Sequence, residues 1–194
     1  LEFIIMLRIA VDVDEVLCPM LHHLSRHYSR THKAKAPIKP PHEYNYATHF
    51  GISKLESQLL VRSFYTSHEG KQMTPIKGSQ NAIRKLKRKY HLGIITGRQI
   101  YGKDLTIDFL NKYFFDMFEY VICTNSYSLC GKELPKPQAC LLGEADVLID
   151  DSISNCVTVE GVSCKALLFG NYSWNSESED IDRLIHWDNI GDYL

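Results

Sequence analysis

The 194-residue chain has no Cys-x-x-Cys pair among its six cysteines, no excess of basic residues and no internal repeat or low-complexity stretch. Each lack excludes something. Cys18, Cys123, Cys130, Cys140, Cys156 and Cys164 lie in or beside apolar runs, which suits reduced, partly buried thiols of a cytoplasmic protein rather than a zinc site or a disulfide framework. A formal net charge of -1 argues against a surface for a nucleic-acid polymer or an acidic membrane, since both need a basic excess. The apolar stretch Leu1 to Leu7 is short, contains Glu2, and lacks a basic leader and a small-residue cleavage site. It reads neither as a signal peptide nor as a membrane span.

What is present is an alternation of strands and helices. Leu7 to Val13 reads as a strand, followed by a helix from Pro19 to His32 with Met20, Leu21 and Leu24 on one side. Ala34 to Pro41 holds three prolines and reads as an extended connection. Ser53 to Ser67 regains helical spacing, opened by a Ser53/Glu56 capping box. A helix over Ser79 to Tyr90 turns Ala82, Ile83 and Leu86 inward, and its outward Arg84, Lys85, Lys87, Arg88 and Lys89 read as a solvated face. Strands recur at Leu92 to Thr96, Tyr120 to Thr124, Asp146 to Asp150 and Cys164 to Phe169. Between them run helical stretches at Leu105 to Tyr113, Pro137 to Leu142 and Ser154 to Glu160. The pattern predicts an α/β fold, a Rossmann-like parallel sheet with helices on both faces. Residues 6–17 and 74–194 are expected to form its core, with 18–73 a small helical insertion after the first strand. The 84 residues from Asp12 to Thr96 far exceed one crossover connection.

The chemistry concentrates where the strands end. Ile9-Ala10-Val11-Asp12-Val13-Asp14 closes the first strand with two carboxylates one residue apart. Because the chain turns at a strand end, Asp12 can face a substrate while Asp14 bends over the same point, leaving a backbone carbonyl for a cation. The plainer alternative is an acidic strand end that caps the next helix. Three later signals weigh against it: Ile94-Ile95-Thr96-Gly97-Arg98, then Lys136 at a helix start with Lys132 as its rival, then Leu148-Ile149-Asp150-Asp151. All lie at or just beyond the carboxyl ends of the expected strands, where open α/β sheets bind ligands.

In this order the four sets resemble the signature of the haloacid dehalogenase-like (HAD) phosphohydrolases. The Asp-x-Asp-x-Val opening, Thr74-Pro75-Ile76-Lys77-Gly78, the Leu-Ile-Asp-Asp closure and Ile185-His186-Trp187-Asp188-Asn189 are similar to the 5'(3')-deoxyribonucleotidase family. The likeness runs from Arg8 to the C-terminus and is loose between Cys18 and Met73. Gly97-Arg98 departs from that family, which carries Ser-Pro after the hydroxyl residue.

The resemblance implies that the insertion 18–73, placed where the superfamily carries a cap, is a small helical cap, and that Asp12 attacks phosphorus to form an aspartyl-phosphate. Asp14 protonates the leaving oxygen and later deprotonates water. Thr96, Gly97 and Lys136 bind the phosphoryl group. Mg2+ suits the hard oxygens of Asp12, the Asp14 carbonyl and the acidic pair; alignment with the superfamily's Gly-Asp ending makes Asp151 the direct ligand and Asp150 its support. The expected activity is that of a phosphomonoesterase acting on 5'-nucleotides or deoxynucleotides. A phosphatase or phosphotransferase for another small phosphorylated metabolite and a non-catalytic HAD-like binding protein are the alternatives, and a homodimer is left open. Tyr44, Tyr46, Phe50, Phe64 and Tyr65 cluster in the insertion, with Phe64 read as core and the others open between core and base stacking. His23 and His27, spaced i, i+4 without a third ligand, read as surface or cap-packing residues.

Overall fold

The structure, a computed structural model, describes residues 6–35, 44–178 and 180–194. Six strands form one sheet, paired in parallel throughout, in the order β3-β2-β1-β4-β5-β6: β1 (Arg8–Val11), β2 (His91–Thr96), β3 (Val121–Cys123), β4 (Val147–Asp150), β5 (Lys165–Phe169) and β6 (Arg183–Leu184). The central strands are apolar runs because both faces of a parallel sheet are covered. Ile9, Val11, Leu92, Ile94, Val147, Ile149, Leu167 and Phe169 belong to one apolar cluster, while the alternating Ala10, Ile95, Leu148, Ala166 and Leu168 belong to a second. The first cluster takes Leu24 of α1 (Met20–His32), Ile83 and Leu86 of α5 (Ser79–Lys87), and Phe109 and Leu110 of α6 (Lys103–Tyr113). The second takes Ala139 and Cys140 of α7 (Lys136–Leu142) with Cys156 and Val159 of α8 (Ile153–Glu160). Helices therefore cover both faces, as the alternating pattern predicts.

Between β1 and α5 lie α1, α2 (Tyr46–Phe50), α3 (Lys54–Phe64) and α4 (His68–Lys71). The Ser53/Glu56 capping box opens α3 as read from the sequence. That helix stops at Phe64 rather than Ser67, because the Ser67 side chain accepts from the Gly70 amide and starts α4 instead. The sequence reading does not anticipate α2, α4 or β6. Each is too short to show a period, and α2 and α4 exist through Asn45, Gly51 and Ser67 at their ends. The helix expected to Tyr90 ends at Lys87, and α6 begins two residues before Leu105. Most of the expected extended connection, from residue 36, lies outside the described residues.

The loop after β1 is anchored on every side. Val13, Val16, Leu17 and Cys18 are fully buried, and the amides of Leu17 and Cys18 donate to the Val13 carbonyl. Tyr172 Oη donates to Glu15 O at 2.6 Å and Trp187 Nε1 to Val16 O at 2.8 Å. Ile76 N donates to Leu17 O, so two of the segments picked out by resemblance, Thr74–Gly78 and Ile185–Asn189, brace this loop. They also meet each other: Gly78 sits at φ +87°, and a Cβ there would come within 3.3 Å of Trp187 and Asp188. All six cysteines are unpaired; four are buried, Cys123 is half-buried and Cys130 exposed. No helix among the described residues is long and apolar enough to cross a membrane.

Candidate active site

The strand order reverses between β1 and β4: from β1 the chain winds outward through β2 to β3, and from β4 the other way through β5 to β6. A crevice opens at such a switch point, outside the carboxyl ends of the two strands. Register places Val11 between Ile94 and Ile149, so Asp12, Asp150 and the end of β2 lie abreast at this crevice. The Asp12 amide donates to Ile149 O at 2.9 Å, tying the first carboxylate to β4.

Asp12, Asp150 and Asp151 are buried, and each can place a carboxylate oxygen within 4.8 Å of the others. Among the described residues one cation faces them. Lys136, at the start of α7, donates to Asp150 Oδ2 at 2.6 Å and to Ile95 O at 2.9 Å, and its Nζ stands 3.3 Å from Asp12 Oδ1. Burial would discharge the lysine, but Asp12 and Asp150 outweigh it and hold its pKa above the usual value. Burial also pushes Asp12 up to about 7; Lys136 opposes the rise, and the charges of Asp150 and Asp14 add to it. Burial, with Asp150 and Asp12, likewise raises Asp151 well above the usual carboxylate range. The cluster is short of positive charge.

The three carboxylates are not equivalent. Asp150 is saturated, with Oδ1 accepting from Ser152 N and both oxygens meeting Asn155 Nδ2, beside the lysine. Asp151 lines the cavity, and among the described residues its Oδ2 accepts one bond, from Trp174 Nε1 at 2.9 Å. Asp12 Oδ1 is buried and, among the described residues, reached by no hydrogen bond, because Lys136 is close but poorly aimed. An orphaned carboxylate oxygen beside a second available one is a hard-oxygen donor set that fits a divalent cation such as Mg2+.

Asp14 also lines the cavity, at 16% side-chain exposure, and is held by a residue to which the sequence reading assigns no role. Arg98 Nε and Nη2 both donate to Asp14 Oδ1, at 2.9 and 2.7 Å. Gly97 and Arg98 line the cavity, whereas Thr96 is fully buried behind the wall, where its hydroxyl accepts from the Arg98 amide at 3.4 Å.

The cavity, about 330 Å³, runs from this polar floor to walls that include Met20, Tyr44, Tyr46, Val61, Tyr65 and Tyr127. Tyr44 and Tyr46 Oη bond each other at 2.7 Å, Tyr65 Oη donates to Gln99, and Tyr127 Oη pairs with Ser57 Oγ. Of the aromatics left open by sequence, Tyr44, Tyr46 and Tyr65 reach the cavity; Phe50 stacks on Tyr28 in the core and Phe64 is core. His23 and His27 are buried, not on the surface: Thr74 N donates to His23 Nε2, and His27 bridges Glu69 and Ser63. An acidic partner for His27 thus arrives from α4, which spacing on α1 does not reveal. Arg98, Tyr127, Asn155 and Trp174 are among the site residues that motif reading misses. Of these only Arg98 carried a signal, by its departure from Ser-Pro.

A family model described as "5' nucleotidase, deoxy (Pyrimidine), cytosolic type C protein" matches residues 5–194. A search of the curated proteins finds no match. Among solved structures, the chain is similar to a haloacid dehalogenase-like family hydrolase from Streptococcus pneumoniae, with 15% identity over 97% of this chain and 98% of that chain and a TM-score of 0.66. A predicted phosphatase from Clostridium acetobutylicum shares 12% identity over 97% of each chain at a TM-score of 0.70. Protein Tyrosine Kinase A from Mycobacterium tuberculosis shares 14% identity over 96% of this chain and 97% of that chain at 0.69. Likeness at such identities establishes the fold alone.

Proposed function

The chain belongs to the 5' nucleotidase, deoxy (Pyrimidine), cytosolic type C family and is a phosphatase of the HAD fold, and from that premise we propose that it is a magnesium-dependent 5'-nucleotidase acting on nucleotides or deoxynucleotides in the cytosol. The observation that carries the reading is one cavity joining a carboxylate and lysine floor to walls rich in tyrosine. A phosphate ester set on that floor leaves its flat, weakly polar end among rings whose hydroxyls are already paired, which favours stacking over hydrogen-bond readout. Residues 18–73 then serve as the cap: Tyr44, Asn45, Tyr46, Val61 and Tyr65 reach the cavity from that span.

In this reading an Asp12 oxygen attacks phosphorus as the bond to the leaving oxygen breaks, and that oxygen takes a proton from Asp14. Asp14, now a carboxylate, takes a proton from the water that releases phosphate from Asp12. Lys136 and the Gly97 amide hold phosphoryl oxygens, with Thr96 shaping the turn behind them. Asp12, Asp151 and the Asp14 carbonyl would hold Mg2+, with Asp150 fixing Lys136. The ion supplies positive charge that lets a carboxylate approach an anionic ester.

The test is phosphate release from deoxy- and ribonucleoside 5'-monophosphates, sugar phosphates and p-nitrophenyl phosphate, each with Mg2+ and with EDTA. The expected result is highest kcat/KM on a nucleotide and silence in EDTA. Replacing Tyr44 or Tyr127 with Ala should cost about tenfold on the nucleotide, and less on p-nitrophenyl phosphate. A sugar phosphate turned over more efficiently than every nucleotide overturns the substrate assignment, and full activity in EDTA overturns the cofactor.

A further inference from the structure

Arg98 carries a permanent charge on a side chain with 0% exposure, a costly placement unless its donors are matched. They are matched, and unevenly. Nε and Nη2 converge on one oxygen, Asp14 Oδ1, at 2.9 and 2.7 Å. Nη1 donates to Thr106 Oγ1 at 3.0 Å, and Nη2 also reaches Met73 Sδ at 3.3 Å. Thr106 is itself fixed, because its hydroxyl donates to Gly102 O one turn earlier in α6. The Arg98 main chain is tied as well, its carbonyl accepting from Asn125 N.

This arrangement does not suit a phosphate-binding arginine. Four of the five guanidinium N–H groups are directed at protein acceptors, and the fork that would grip a phosphate edge-on is spent on Asp14. The side chain that meets Asp12 is Lys136. What Arg98 does govern is the carboxylate of Asp14. That side chain sits on a tight loop, beside Glu15 at φ +57°, where its χ1 would otherwise choose among staggered wells. Two bonds to Oδ1 select one well and leave Oδ2 free of Arg98, on a residue that lines the cavity.

We propose that Arg98 is a positioning residue: clamped by Thr106 and Met73, it holds Asp14 by Oδ1 so that Oδ2 meets the oxygen of the departing alcohol. The inference rests on the phosphomonoesterase reading above. In the step it serves, the phosphorus to leaving-oxygen bond breaks, its electron pair stays on that oxygen, and the Asp14 proton moves there while Asp12 forms the new bond to phosphorus. Positioned general acids contribute about 10²- to 10⁴-fold, and the contribution vanishes for a leaving group that departs without a proton.

The experiment compares a nucleoside 5'-monophosphate, a poor alkoxide leaving group, with 2,4-dinitrophenyl phosphate, a good phenolate one, in the Mg2+-loaded enzyme. Arg98→Lys keeps the charge and loses the fork. In a single turnover it should slow release of the nucleoside by about 30-fold or more and release of dinitrophenolate by less than about 3-fold, with KM within about 2-fold on both; the later hydrolysis at Asp12, which Asp14 serves as base, should slow alike for the two esters. Arg98→Met should lose at least as much with the same selectivity. Thr106→Val leaves Arg98 in place but removes the Nη1 acceptor, and should show the same selectivity at about 5-fold. It decides the question if the Arg98 variants do not fold. Equal losses in the single-turnover rate of leaving-group release from both esters overturn the proposal in favour of a merely structural arginine. A KM raised tenfold with kcat intact overturns it in favour of a direct phosphate contact. A parent enzyme that releases phosphate from neither ester overturns the phosphatase reading itself, whereas an active parent with unselective variants overturns only the role of Arg98.

Discussion

Asp12→Asn should make the metal-free protein more stable while abolishing turnover. Asn has nearly the volume of Asp, so no cavity forms, and Lys136 keeps its 2.6 Å bond to Asp150 Oδ2. What disappears is a carboxylate that burial, together with Asp150 and Asp14 and against Lys136, lifts from 3.8 to about 7. An acid whose folded pKa is raised favours folding fully below its unfolded pKa, and loses that contribution as pH rises through the folded value. The cost therefore grows between pH 3.8 and 7 and is complete above about 7. Three units correspond to on the order of 4 kcal/mol. In urea unfolding with EDTA, the Asn variant should exceed the parent by on the order of 4 kcal/mol at pH 8, and by less than half of that at pH 5. Mg2+ at about 100 times its dissociation constant should return about 2.7 kcal/mol to the parent and less to the variant. A variant no more stable than the parent at pH 8, with a gap that does not narrow towards pH 5, would refute crowding of buried charge as the cause. Sites that hold stored electrostatic strain for a ligand commonly behave in this way.

Lys136→Met should destabilise by about 3–5 kcal/mol at neutral pH, because it strands Asp150 in the interior; denaturant midpoints with unchanged slopes would check it. Calorimetric titration with Mg2+ should show Asp151→Asn weakened at least about tenfold. Asp150→Asn, whose carboxylate is already saturated by Ser152, Asn155 and Lys136, should lose stability more than affinity. Burial, with His22, Arg26 and Arg98 nearby, lowers His23 from 6.5 to about 4. The stability it lends is then complete above pH 6.5 and lost as pH falls towards 4, so the parent should lose on the order of 2 kcal/mol more than His23→Gln between pH 7.5 and pH 5.

The elements with their own internal signal were legible in the chain. The apolar runs of β1, β2, β4 and β5, the inward face of α5 and the capping box of α3 are local patterns, and local patterns survive without neighbours. So does the order of the acidic and hydroxyl residues, because strand ends put Asp12, Thr96 and Asp150 near one crevice in any sheet of this winding. The two-residue β6 and the short α2 and α4 carry no period, and their existence depends on caps and on packing.

Sequence alone determined the fold class, through periodicity, and the kind of chemistry, through the resemblance its ordered strand-end motifs bear to the HAD phosphohydrolases. Tertiary structure decided which oxygen is engaged and which is open. Asp150 and Asp151 are adjacent and chemically identical in sequence, yet one is saturated by Lys136, Asn155 and Ser152 while the other faces the cavity with a single indole bond from Trp174. Arg98 and Asp14 lie 84 positions apart and meet only because β1 and β2 are neighbours. Burial, orphaned lone pairs and the direction of a guanidinium are properties of packing across such separations, and no local pattern encodes them.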